Sequence, residues 1–135
     1  MGLDNSIEVK RTEYTKNIPE LQRFERDWDK QHEYDFEVAY FRKCYNIRHM
    51  IFDTVEGVVD NGDSKPLTKQ DVENIIEGLQ GFNEDNWQDN GGSLWEWEDE
   101  EYSYSYKLKE DIKNLQILSE LMDKYDLEVY FYDSY

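Results

Sequence analysis

A chain of 135 residues suits one domain built around one core. It carries 32 acids against 15 bases, a net charge of −17, which excludes direct binding of DNA or RNA, because that needs Lys and Arg to replace counterions. The same charge disfavours anionic membranes and phosphate-rich ligands, and favours a basic partner.

High charge with low hydropathy leans towards disorder, but four Trp, eleven Tyr and six Phe supply enough large rings for a core. The single cysteine, Cys44, leaves no intrachain disulfide and fits a reducing compartment. No signal pattern opens the chain, and no apolar run approaches the roughly 20 residues of a membrane span. The expected location is the cytoplasm of a bacterial host cell.

In chain order, partial alternation at Ile7 and Val9 predicts a first strand over 3–10. Pro19 suits the first turn of a short helix, with Asn17 as a candidate cap and Leu21, Phe24 and Trp28 at helical spacing; the segment reads as a short amphipathic helix or an ordered loop. Residues 36–59 read as the strongest helix, with Val38, Phe41, Cys44 or Tyr45, Ile47 or Arg48, Ile51 and Val55 returning every three or four positions. Gly57 and the run 60–66 end it. A second helix follows Thr68, which forms with Asp71 a capping-box pattern, and runs through Val72, Ile75, Ile76 and Leu79 to Gly81. Residues 83–92 are loop by composition. A third helix over 106–126 buries Leu108, Ile112, Leu115, Leu118 and Leu121, with Asp111 outside the stripe. The chain closes on an alternating strand, with Leu127, Val129, Phe131 and Asp133 on one face and Glu128, Tyr130 and Tyr132 on the other. The expected fold is one α+β domain over 1–135, a small sheet including the N- and C-terminal strands packed against two or three helices.

The charge is regional. Residues 1–50 hold nine bases and ten acids, whereas residues 70–106 hold eleven acids and no base. Within that window, 83–106 alternates rings and carboxylates, densest in "LWEWEDEEYSYSY". Trp95 and Trp97 share one strand parity, and Tyr102, Tyr104 and Tyr106 the other, so the break falls at Glu98, Asp99, Glu100 and Glu101. The segment reads as two short strands, or a strand and a turn into the third helix. Its rings either cap the core under a solvated acidic turn or form a binding face. The candidate contacts are Glu84, Asp85, Trp87, Asp89, Trp95, Glu96, Trp97, Glu98, Asp99, Glu100, Glu101, Tyr102 and Tyr104. Carboxylates at this spacing imitate a phosphate backbone, and Trp and Tyr supply anchoring area.

Phosphate-binding glycine loops, a nucleophile elbow and a zinc-protease motif are all missing from the sequence. Cys44 and His49 lie about 140° apart around a helix, so they do not share a metal there. An EF-hand starting at Asn86 fails at its twelfth position, Trp97. No metal or cofactor is expected, and no enzymatic activity; an enzyme acting through a carboxylate and His49 has nothing positive behind it.

"MGLD", "EVAYFRKCYNIRHMIF" and the ending "LEVYFYDSY" resemble a family of small phage and prophage proteins. Its helical motif is carried here by Glu37, Tyr40, Phe41, Arg42, Lys43, Ile47 and Phe52. The resemblance implies a first strand, a helix bearing the motif, and a closing helix and strand; it implies no catalytic residues. A small, very acidic chain of this type is similar by class to phage anti-defence proteins that mimic DNA, including anti-CRISPR proteins. That implies a basic nucleic-acid-binding protein, such as a CRISPR-Cas effector, as partner. The alternative is a sponge for a nucleotide signal, with Arg42, Lys43, Arg48 and His49 as the anion contacts.

Overall fold

The computed structural model describes residues 4–25, 31–42, 45–55, 57, 64–82 and 104–134. Four strands, β1 (Asp4–Val9), β2 (Phe36–Arg42), β3 (Ser64–Leu67) and β4 (Val129–Ser134), form an antiparallel sheet in the order β2-β1-β4-β3. Three helices, α1 (Tyr45–Thr54), α2 (Lys69–Gln80) and α3 (Tyr104–Lys124), complete the α+β architecture. The first and last strands lie side by side at the centre of the sheet, with Ile7 opposite Phe131 and Val9 opposite Val129. Both ends of the described chain are thereby tied into the core.

Strand alternation decides which residues meet the helices. Ile7, Val9, Val129, Phe131 and Leu67 share the inner face and are buried. From α1, Phe52 meets Phe131 edge-on at 6.2 Å between ring centres. Leu115 and Leu118 from α3 and Val72, Ile75 and Leu79 from α2 fill the rest of the same cluster. The 3-10 turn Pro19–Phe24 closes one side with Leu21 and Phe24.

Residues 36–42 correct the expected long helix: they are a strand, and α1 begins only at Tyr45. A β-bulge is the reason. Ile7 pairs with Ala39 but Glu8 pairs with Glu37, leaving Val38 as the extra residue. Phe36, Val38, Ala39 and Phe41 are all buried. The bulge breaks the two-residue period, and the three-residue step from Val38 to Phe41 merges with the helical stripe of Ile47, Ile51 and Val55. The Glu37–Arg42 part of the resemblance motif therefore lies on a strand.

The run 60–66 also hid β3. Its Pro66 fits because β3 is at the sheet's edge, where a missing N–H is tolerated. At Pro19 the chain makes a 3-10 turn capped by Ile18, so Asn17 is not the cap.

The helix ends follow local chemistry. Thr68 accepts from the Asp71 backbone N–H at 3.1 Å while the Asp71 carboxylate accepts from the Thr68 N–H at 3.0 Å, completing the capping box. After α1, Gly57 adopts φ +84°, a left-handed turn that favours glycine. Asp111, expected outside the α3 stripe, is instead 5% exposed. It lies three residues after Leu108 and four before Leu115, which puts it on the buried stripe.

Candidate functional site

The structure leaves the sequence-predicted acidic site largely outside the described residues. Glu84, Asp85, Trp87, Asp89, Trp95, Glu96, Trp97, Glu98, Asp99, Glu100, Glu101 and Tyr102 all lie there. Tyr104 is the first residue of α3. Positions 104 and 106 therefore lie on a helix and not on a strand.

The base-free window begins on α2, where its first acids are already in use. Asp71 caps the helix. Glu73 accepts from Lys69 Nζ at 2.8 Å and from Ser119 Oγ at 3.3 Å, and the Lys69 contact holds its carboxyl below the ordinary range. Lys69 also reaches Asp123 on α3 at 2.9 Å; hydrogen bonds to Glu73 and Asp123 raise its ammonium. One lysine outside the window therefore braces two helices. Glu77 is exposed.

The alternative anion site does not assemble on one helix. Arg42 ends β2, Lys43 lies outside the described residues, and His49 is exposed on α1. Arg48 is committed elsewhere. Its Nε donates to Asp133 Oδ1 at 2.9 Å and its Nη2 donates to Asp133 Oδ2 at 3.0 Å. Asn5 Nδ2 donates to Asp133 Oδ1 at 2.6 Å. Asp133 is 1% exposed, and the guanidinium sits over the Phe52 ring at 4.3 Å. This two-pronged pair joins α1 to the centre of the sheet.

A third surface emerges only from the register. On the sheet face opposite the helices, Tyr40, Ser6, Tyr132 and Ser64 form one row across the strands, and Glu37, Glu8, Tyr130 and Pro66 the next. Ser6 Oγ donates to Glu8 Oε2 at 2.5 Å. The Tyr130 and Tyr132 rings lie 6.2 Å apart. Burial pushes the Tyr132 phenol up, and the carboxylates of Asp35 and Glu8 and the neighbouring Tyr130 push it the same way. The last strand's alternation exposed Tyr130 and Tyr132 in the sequence; Glu37 and Tyr40 were hidden by the helical reading of β2.

Two hollows border the 3-10 turns. One, about 590 Å³, is lined by Arg11, Lys16, Gln22, Glu25 and Glu33 among others. Its Arg11 is held by Glu25 and by the Tyr34 carbonyl, 2.7 Å from Nε. The other, about 500 Å³, lies between Pro19–Arg23 and α3. Its Glu20 accepts from Lys124 at 2.6 Å and from the Tyr125 hydroxyl at 2.9 Å. Among the described residues no group of three His, Cys, Asp or Glu is placed to hold a metal, and no helix is long and apolar enough to cross a membrane. No protein-family model, curated protein or solved structure matches the chain.

Proposed function

We propose that the protein is a non-enzymatic acidic inhibitor that occupies the basic groove of a host nucleic-acid-binding protein by imitating DNA. The observation that carries this reading is the charge distribution: eleven acids without a base over 70–106, in a chain of net charge −17. The fold adds support. Arg11, Lys16, Arg48, Lys69 and Lys124 each pair with a carboxylate inside the molecule, which commits these cations to the scaffold. A field of this kind steers a basic partner to the surface and makes the complex sensitive to salt. The class likeness to phage anti-defence proteins makes a CRISPR-Cas effector the partner to try first. A nucleotide sponge is the weaker reading, since Arg48 would have to leave Asp133 to meet an anion.

The test is binding to a purified CRISPR-Cas effector at low and raised salt, for the wild-type chain and a variant with Glu98, Asp99, Glu100 and Glu101 reversed to Lys. Tight binding at low salt that weakens steeply with salt and is lost on reversal is expected. Absence of binding at low salt to that effector, together with capture of no basic protein from host lysate, overturns the reading.

A further inference from the structure

We propose that Met50 is a site of oxidative modification that sets how firmly α1 is held to α2: a peroxide converts its thioether to the sulfoxide, and the sulfoxide no longer fits against Gly78. The proposal goes beyond the reading of the protein as an inhibitor and does not depend on it.

The site is a notch and the side chain that fills it. A Cβ placed on Gly78 would fall 2.3 Å from Met50 Sδ, 2.8 Å from Cγ and 3.0 Å from Cε. The thioether end of Met50 therefore occupies the space that a side chain at position 78 would take. Gly78 lies inside α2, where glycine weakens a helix relative to alanine; the close seat of Met50 is what it permits. Beside this contact, Ile47 and Ile51 of α1 and Ile75 and Leu79 of α2 are fully buried, whereas Met50 and Gly78 are half-buried. The contact thus lies at the rim of the core, within reach of a small oxidant.

Such a contact matters to α1 because the helix is short. Its ten residues are too few to hold a helix in water unaided. Ile47, Ile51 and Val55 hold it to the core, Arg48 ties it to Asp133 in the sheet, and Met50 bears on α2.

The modification is a two-electron oxidation by hydrogen peroxide. A sulfur lone pair attacks one peroxide oxygen, the O–O bond breaks and an S–O bond forms. The second oxygen leaves with both protons as water, so the sulfur is oxidised and the peroxide reduced. A flexible apolar group becomes a polar one. An oxygen directed at α2 collides with its backbone. One directed at water is best hydrated when the side chain swings out, which leaves the notch empty and its packing lost. Met122 is the comparison: it is half-buried on α3 and packs against the core cluster, while the atoms nearest the Gly78 notch are all from Met50.

The experiment treats the full chain with hydrogen peroxide, locates the added oxygen by peptide mass spectrometry and follows thermal unfolding. Wild type is compared with Met50→Leu and Met122→Leu. Oxidation at Met50, with the midpoint falling by about 5 °C or more in wild type and Met122→Leu but not in Met50→Leu, supports the proposal. Methionine sulfoxide reductase should then restore the wild-type midpoint; this arm needs no substitution, so it stands even if a variant folds poorly. Three results overturn the proposal: Met50 stays reduced in the folded chain, its oxidation or its repair leaves the midpoint unmoved, or Met50→Leu loses as much as wild type.

Discussion

Replacing Arg48 by Met is the most informative single change to the scaffold. Asp133 is 1% exposed, and its donors include the Arg48 guanidinium, through two nitrogens, and the Asn5 amide. Without the guanidinium, the carboxylate keeps only the Asn5 amide among these donors. Breaking a buried pair from one side typically costs about 3–5 kcal/mol, because the remaining charge is stranded away from water. A domain with a total stability of about 5–15 kcal/mol loses a large fraction of it. The double variant Arg48→Met/Asp133→Leu removes both charges and places an apolar side chain at position 48 against the Phe52 ring. It should recover part of that loss, the remainder being the buried Asn5 amide left without its Asp133 acceptor. Urea unfolding followed by circular dichroism measures both, with the slope checked for constancy so that the midpoint reports stability. A cost below about 1 kcal/mol for Arg48→Met, or a double variant no better than the single, would refute the assignment of Arg48 to the scaffold.

Three further outcomes are expected. Thr68→Ala removes the acceptor of the capping box and should cost about 1 kcal/mol in the same unfolding assay. A Cβ on Gly78 would lie 2.3 Å from Met50 Sδ, so Gly78→Ala should be less favourable by at least about 1 kcal/mol with Met50 present than in a Met50→Ala background. Thermal melts of the four chains give that coupling; additive effects would mean the two helices do not meet there. The third concerns pH. Lys124 and Tyr125 lower the Glu20 carboxyl, and Lys69 lowers that of Glu73. Each contributes stability above its unfolded value near 4.5, and that contribution is lost as pH falls through the lower folded value. The stability difference between wild type and a Lys69→Met/Lys124→Met variant should therefore shrink as pH falls from 6 to about 3. A difference independent of pH in that window would show that these contacts do not form in solution. Taking the difference removes the general relief of self-repulsion that acid brings to so acidic a chain.

The helix α2 was legible in the sequence almost residue by residue. Its apolar stripe has the helical period, and its capping box is a local motif whose atoms lie within four residues. The last strand was legible for the same reason, down to Asp133 on the buried face with Phe131. The excess of acids, and its concentration in the base-free window 70–106, could be read from the sequence alone.

The rest depended on contacts distant in sequence. Whether 36–42 is strand or helix was decided by pairing with β1, because the bulge at Val38 erases the period that would announce a strand. Arg48 reads as a ligand group on an isolated helix; Asp133, 85 residues away, makes it a buried brace. The outward rows of tyrosine and glutamate likewise exist only once three strands are in register, since no single segment holds both Glu8 and Glu37. Local patterns encode local hydrogen bonding and the direction of burial. Which side chains then face one another is set by the pairing of strands, and pairing is a property of the whole chain.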